Sequence, residues 1–397
     1  MENLLTPAYI LDKESLRNSI KKIIDSLNKN FNKNILSYSL KTNSLPYILK
    51  EIKEAEGYAE VVSSDEYELA KLVGFKTNKI VYNGPLKCKD TFLEALIGGS
   101  ILNIETYREI EWLKLLPKNR TFNVGIRINI DLKEISPEDS KEDEDYSRFG
   151  FSYYTGELEK AIDEISKIGN IKIDGLHAHR TTLTRSINCY KKICEFIGLI
   201  SNKFDLNLSY IDIGGGYYGI MNSKPTFDEY FSEIANSLSR YFDLDKTVII
   251  VEPGNAIVAS CFDFITSVID VKKNRDFYVI TTDGSRNDVD PFFKKSTYFY
   301  ELLHETKKKS DVVSLQKICG CTCLEYDKLF TIENSHLLSV GDKIVFKSVG
   351  AYTMALSPLF IRFFPKIYLL DESQYTLIRD NWSAKDFYNI YDTKSSL

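Results

Sequence analysis

The 397-residue sequence has no uninterrupted apolar stretch near the roughly 18 residues that a membrane span requires. It has no strong charge bias either. With 51 Lys and Arg against 56 Asp and Glu, the formal net charge is −5, which argues against a nucleic-acid groove as its main business. The opening, MENLLTPAYILDKESL, lacks a basic start followed by an apolar run, so no secretory signal is expected. Cysteine is sparse and odd in number, 7 in all. Without an export signal, reduced thiols and a cytoplasmic setting are the expectation. Internal repeats and low-complexity tracts are absent. What is present suffices for a substantial core, with 43% hydrophobic and 27% charged residues. That composition excludes a mainly disordered chain and allows two domains, or one large barrel with an appendage.

Eight short apolar runs rich in β-branched residues lie at 35–40, 59–64, 79–84, 101–106, 124–130, 172–179, 208–216 and 247–254. Such runs suit strands buried on both faces, and the segments between them show a helical period. Eight strands alternating with helices give an α/β class and a TIM-type (β/α)8 barrel, expected over 28–260. From Cys261 the period shortens to two and turn signals recur, so 261–397 is expected to form a β-barrel or β-sandwich domain. The early run PAYILD reads as a further strand, so 1–27 is expected to join that β domain and lead into the barrel. The acidic segment 131–146 is expected to be a solvated, mobile loop on the carboxyl side of the strands.

In such a barrel, chemistry sits at the carboxyl ends of the strands. Lys41, Asn83, Gly84, His177, His179, Gly214, Gly215, Gly216 and Glu252 all end runs, and Arg127 lies within one. Each alone has a plain structural explanation: a solvated lysine, a tight glycine turn, a core histidine. Six such features on one rim favour a site. The chemistry they suit is that of pyridoxal phosphate. A strand-end lysine can form a Schiff base with an aldehyde. Successive glycines let backbone N–H groups close on a phosphate. An imidazole can cover a flat ring, and a carboxylate can keep a pyridine nitrogen protonated.

The segments YSLKTN (38–43), HAHRTT (177–182), DIGGGY (212–217), VEPGNA (251–256), CGCTCLEYD (319–327) and GAYTMA (350–355) follow one another along the chain. In this order they resemble the barrel-type (fold type III) pyridoxal-phosphate decarboxylases of ornithine, arginine and diaminopimelate, over nearly the whole length. The resemblance implies an alanine-racemase-like fold and pyridoxal 5'-phosphate as cofactor. It implies Lys41 as the Schiff-base lysine, His179 stacked on the ring and Glu252 at the pyridine nitrogen. Gly214, Gly215 and Gly216, with Arg127, Thr182 and Tyr352, are then cofactor-binding residues. Cys323 becomes the catalytic cysteine, supplied by the other subunit of a head-to-tail homodimer. On this reading loss of CO2 leaves a carbanion at Cα that Cys323 reprotonates, and Lys41 releases the amine. A metal site on Cys319, Cys321 and Cys323, sharing one strand face, is the rival reading of the cysteine cluster; no metal is expected.

The departures from the family bear on substrate. Leu324 stands where the family has Asp or Glu, Asn255 replaces an arginine, and Asp290 falls where diaminopimelate enzymes have one. Arg180 follows the stacking histidine, and Arg362 lies in Phe360-Ile361-Arg362-Phe363. Arg180, Asp290, Leu324, Asp327 and Arg362 are therefore the candidate substrate-binding residues. A buried ammonium needs a carboxylate partner, and extra arginines suit carboxylates. An amino acid whose side-chain amine is capped by an acidic acyl group fits best, as in the citryl-ornithine or citryl-diaminopropionate decarboxylases of siderophore biosynthesis. The alternatives are a decarboxylase of free ornithine, lysine or diaminopimelate, an amino-acid racemase, and a catalytically dead regulatory homologue. A racemase of this fold would place an arginine, not Glu252, against the ring nitrogen.

Overall fold

The computed structural model describes residues 4–140, 147–180, 183–304 and 310–391. The chain divides into two compact units, Arg17–Ile257 and the pair of segments Met1–Leu16 and Val258–Leu397. The first strand, β1 (Ala8–Asp12), belongs to the smaller unit. The larger unit contains β2 (Asn34–Ser39), β3 (Tyr58–Ser63), β4 (Ile80–Leu86), β5 (Ile101–Ile104), β6 (Phe122–Asn129), β7 (Phe151–Ser152), β8 (Ile171–His177), β9 (Tyr210–Asp212) and β10 (Val248–Val251). Strand β2 pairs with both β3 and β10, and β5 pairs with β6, so eight parallel strands close into a ring. The two-residue β7 is a spur on β6. Each of the eight apolar runs becomes one barrel strand. Closure removes the sheet edge, so every long strand is paired on both sides.

The barrel interior is layered by register. Asn103 aligns with Gly125, Gly125 with Gly175, and Gly175 with Tyr210. The Tyr210 ring fills the space these glycines leave. A Cβ on Gly175 would lie 2.1 Å from Tyr210 Cζ, and one on Gly125 would lie 2.1 Å from its hydroxyl. That hydroxyl donates to Asn103 Oδ1 at 2.8 Å. Tyr210 also packs with buried Val81 and Ile250 and with part-buried Ile35, Tyr58, Ile101 and Val248. Side chains alternate along a strand, so the residues two further on point into the barrel one layer up. Arg127, His177 and Asp212 form that next layer, in mutual register. An apolar floor under a polar layer at the carboxyl ends is what places a site there.

The smaller unit is a mixed sheet of β1 with β11 (Phe262–Asn274), β12 (Phe277–Thr282), β13 (Tyr300–Leu303), β14 (Val312–Cys319), β15 (Lys328–His336), β16 (Lys343–Phe346), β17 (Lys366–Asp371) and β18 (Gln374–Arg379). The amino-terminal β1 lies between β11, antiparallel to it, and β17, parallel to it. Its Ala8 and Ile10 pack on Ile265 and Val345. Strands β13 and β18 and the helix Ala384–Tyr391 were not anticipated; the two strands are short, and most of their residues are part-exposed.

Two expectations need correction. Within the acidic segment, Leu132–Ile135 and Pro137–Asp139 form helical turns, and Asp139 is fully buried. Its carboxylate accepts from Ser136 Oγ at 2.6 Å and from the hydroxyls of Thr184 and Ser186. Residues 141–146 of that segment lie outside the described residues. The shared strand face of the three cysteines does not form, because β14 ends at Cys319 and Cys321 and Cys323 follow in a loop. Among the described residues, no helix is long and apolar enough to cross a membrane.

The Gly175–Tyr210 contact leaves no room for a methyl group. Gly175→Ala should therefore lower stability by about 1–3 kcal/mol, the usual cost of overpacking, read as a lower urea midpoint. Combined with Tyr210→Leu, the loss should be clearly smaller than the sum of the two single losses. Strict additivity would show that the ring and the glycine do not share this space.

Candidate active site

Lys41 sits in the single turn Leu40–Thr42 that follows β2. Its Nζ is 2.8 Å from Glu60 Oε2, on the neighbouring β3. The same Glu60 oxygen accepts from Ser39 Oγ at 2.6 Å, and Oε1 accepts from Asn83 Nδ2 at 3.2 Å. Asn83 Nδ2 also donates to Glu252 Oε1 at 2.5 Å, and Asn83 Oδ1 accepts from Asn103 Nδ2 at 2.8 Å. Lys41 and Glu252 are thus joined through Glu60 and Asn83, although they stand at opposite ends of the sequence that builds the barrel. The sequence alone does not single out Glu60. Its only signal was its place in an apolar run, where a lone carboxylate facing inward is costly without a partner.

Glu252 follows β10 and is 4% exposed. Its Oε2 is 3.5 Å from His177 Nε2. Asp212 joins them, and the three side chains bring ligating atoms within 4.8 Å of one another. Burial, then the Arg127 charge, pushes His177 well below the usual histidine range, so it is neutral. Burial, then the Glu252 charge, drives Asp212 well above the usual carboxylate range. Arg127 spends its charge on Glu105, with Nη1 to Oε2 at 2.7 Å, and lies over the Phe149 ring.

The glycine run closes against His179. Gly214 and Gly216 have φ of +69° and +95°, and a Cβ on Gly214 would fall 2.5 Å from His179 Cβ. Gly214 N donates to Asp212 Oδ1 at 3.0 Å, Gly215 N donates to His179 Nδ1 at 3.3 Å, and the Gly215 carbonyl accepts from Tyr190 at 2.9 Å. His179 keeps a solvent-facing edge, yet burial, followed by Arg127 and Lys41, lowers its pKa to about 3. It is therefore a neutral, flat surface at any working pH. Arg180 follows it directly and is part-buried. Thr182 lies outside the described residues.

In the smaller unit, the loop after β14 is held by Asp327. That carboxylate accepts from Thr322 N and Oγ1 at 3.1 and 2.6 Å and from Arg286 N at 2.8 Å. Cys323 is exposed, and with Cys319, Gly320, Thr322 and Leu324 it lines an open groove of about 550 Å³. Asp290 is buried and accepts from Arg286 Nε and Nη2 and from the backbone of Lys294 and Lys295. Arg362 pairs with the buried Asp288, Nη2 to Oδ2 at 2.8 Å, and donates to the Asp283 carbonyl. Tyr352 has φ of +60°, a costly backbone for a non-glycine residue and one that clusters at working sites.

The barrel mouth fits pyridoxal phosphate on its own chemistry. Both ring nitrogens of His177 and the hydroxyls of Ser37 and Thr42 are buried without a hydrogen bond. Around them stand a primary amine, a glycine run, a neutral imidazole and a carboxylate, the groups needed for an aldehyde, a phosphate, a ring face and a pyridine nitrogen.

Beside this network, Glu66 accepts from Val62 N at 2.8 Å, yet burial, aided by the Glu60 charge, raises it from 4.5 to about 7. A raised carboxyl costs stability as pH climbs from the unfolded to the folded value, because the unfolded chain ionises first. Wild type should lose up to about 3 kcal/mol over this window, whereas Glu66→Gln should not. Urea midpoints at about pH 4.5 and 8 compare them; parallel pH profiles would show that Glu66 ionises freely in the fold.

Residues 17–259 match the family described as pyridoxal-dependent decarboxylase, pyridoxal binding domain. The diaminopimelate decarboxylase of Aquifex aeolicus is 28% identical, over 89% of this chain and 83% of that protein. The crystal structure of diaminopimelate decarboxylase from M. jannaschii superposes with a TM-score of 0.83 at 23% identity, covering 98% of this chain and 92% of that one. The Helicobacter pylori diaminopimelate decarboxylase complexed with L-lysine gives 0.82 at 23%, covering 99% and 98%. The two structures share the fold, and the family match covers the whole barrel with its polar mouth: the chain belongs to the fold type III pyridoxal-phosphate-dependent decarboxylases and is an amino-acid carboxy-lyase.

Proposed function

We propose that this decarboxylase acts on an amino acid whose side-chain amine carries an acidic acyl group, of the citryl-ornithine or citryl-diaminopropionate kind, and supplies an amine for siderophore assembly. The observation that carries this reading is Leu324, directly after Cys323 in the loop held by Asp327. A leucine offers nothing to a substrate ammonium, whose desolvation without a partner costs a few kcal/mol. Arg362 supports the other half. Its guanidinium carries five N–H donors, and Asp288 and the Asp283 carbonyl take Nη2 and Nη1 bonds. Arg362 borders a small cavity of about 20 Å³ with Asn287, Asp288, Thr322, Phe360 and Phe363, so the support for a carboxylate is its N–H donors beyond those two bonds.

In the mechanism, Lys41 would hold the aldehyde of pyridoxal phosphate, His179 would cover its ring, and Glu252 would keep a proton at its pyridine nitrogen. Gly214, Gly215, Gly216, Thr182 and Tyr352 would serve its phosphate, with Arg127 orienting the site through Glu105. The bound cofactor supplies an electron sink for the carbanion that loss of CO2 leaves. Glu60 orients the Lys41 amine, and Cys323 returns the proton to Cα. Two copies would share sites as a homodimer, with Cys323 of one chain serving Lys41 of the other. All seven cysteines are unbridged, in keeping with action in the cytoplasm.

Mixing Lys41→Ala and Cys323→Ala chains, each nearly inactive, should restore up to roughly a quarter of wild-type activity. No recovery after verified subunit exchange would assign Cys323 to its own chain's lysine or to no role. For the substrate, CO2 release should favour citryl-ornithine or citryl-diaminopropionate over the free diamino acids by roughly a hundredfold or more in kcat/KM. Arg362→Ala alone would strand the buried Asp288, so Arg362→Leu with Asp288→Asn is the cleaner variant. It should erase most of the preference and leave the cofactor spectrum unchanged. Equal turnover of free ornithine, lysine or diaminopimelate would make this a decarboxylase of free diamino acids.

A further inference from the structure

The barrel mouth contains two buried carboxyl groups that its cations do not neutralise. Lys41 is bonded to Glu60 and Arg127 to Glu105. Asp212 and Glu252 are 0% and 4% exposed and face each other beside His177, whose ring is neutral for the reasons given above. Two carboxylates this deep, with no cation against either among the described residues, are not both ionised, so one retains a proton. Asp212 is pressed toward the acid form, by burial first and the Glu252 charge second. Its position is fixed by its neighbours. Oδ1 accepts from Gly214 N at 3.0 Å and Oδ2 from Asn103 Nδ2 at 3.2 Å. Asn103 is in turn held by the Tyr210 hydroxyl and by Asn83.

We propose that Asp212 is a positioning residue that stays protonated and donates to Glu252, holding Glu252 as the carboxylate that keeps the cofactor's ring nitrogen protonated. This rests on the reading of Glu252 as the ring-nitrogen partner. The protons balance. The pair carries one proton and one negative charge, and the proton on the ring nitrogen is a second one, taken from solvent. Asp212 keeps its own throughout. With the donor removed, Glu252 is left alone at the same depth, becomes the stronger base and takes the second proton itself. The ring nitrogen is then neutral and the electron sink weaker. Asn83, the other donor to Glu252, is shared with Glu60 and cannot replace it.

The test uses holoenzyme loaded with pyridoxal phosphate isotopically labelled at the pyridine nitrogen, with NMR reporting whether that nitrogen is protonated. Wild type should show a protonated nitrogen and Asp212→Ala a neutral one, with kcat lowered about tenfold to a hundredfold. Asp212→Asn, which keeps an N–H donor without a titratable proton, should restore the protonated signal and recover most of kcat. Infrared spectra of the cofactor-free protein give a second readout that does not need the alanine chain to fold. The difference spectrum of wild type minus Asp212→Asn should contain one buried protonated carboxyl band, because the bands of other raised carboxyls such as Glu66 are common to both chains and cancel. A protonated nitrogen in Asp212→Ala, or a difference spectrum without that carboxyl band, overturns the proposal. A neutral nitrogen in wild type overturns instead the reading of Glu252 on which it rests.

Discussion

The constraint on which the barrel mouth depends is the burial of more negative than positive charge. Glu60, Glu105, Asp212 and Glu252 are all within 7% of full burial, and the facing cations are Lys41 and Arg127. Paired charges at this depth are tolerated only with good geometry and satisfied lone pairs. Asn83 therefore stands between the Glu60 and Glu252 carboxyls, and Asn103 between Asn83 and Asp212, each donating to two acceptors. Lys41 is the one partner in this array that is substantially exposed, at 38% of its side chain. It is the member that can leave its carboxylate for a ligand without stranding a buried cation.

That polar layer stands on the Tyr210 floor. A tyrosine across the barrel needs two neighbouring strands without a Cβ at its height, which Gly125 and Gly175 provide. Its hydroxyl then fixes Asn103, which fixes Asn83 and Asp212. The order of the site is passed upward from packing below it, so a substitution in the floor reaches Glu252 through three hydrogen bonds. Closing loops add a second support. Buried Asp139 holds the hydroxyls of Thr184 and Ser186, just beyond the HAHRTT segment.

The barrel was legible because strands buried on both faces are apolar at every position, which gives runs that need no alternation to be seen. The site residues at strand ends were legible for a related reason, since a lysine, histidine or glutamate closing an apolar run stands out. Glu60, Asn103 and Asp212 were less visible. Glu60 and Asn103 lie inside strands and Asp212 ends the short β9, and the inward direction of each follows from register, which one strand alone does not reveal. Asp139 looked like part of a solvated acidic stretch. Charge density favours solvent on average, but three side-chain hydroxyls, those of Ser136, Thr184 and Ser186, can bury one carboxylate in it. Strands β13 and β18 failed to register because most of their residues are part-exposed and their apolar faces are short.

The smaller unit treats charge differently. Arg286 with Asp290 and Arg362 with Asp288 are close pairs, and each acid also accepts from the backbone. These acids are committed to holding arginines and loops, which leaves none of them as a ready counter-ion for a substrate ammonium. Burial raises Asp288 to about 6 even with Arg362 beside it, so the pair is held by geometry more than by a surplus of negative charge. Selectivity is a difference between substrates, and an unpartnered charge is an effective way to reject one. On the proposed reading, Leu324 would offer a cation nothing, while the N–H donors of Arg362 beyond its Asp288 pair would remain for an anion. A side chain ending in carboxylates would meet these donors, whereas an ammonium would meet a leucine and guanidinium groups of its own sign.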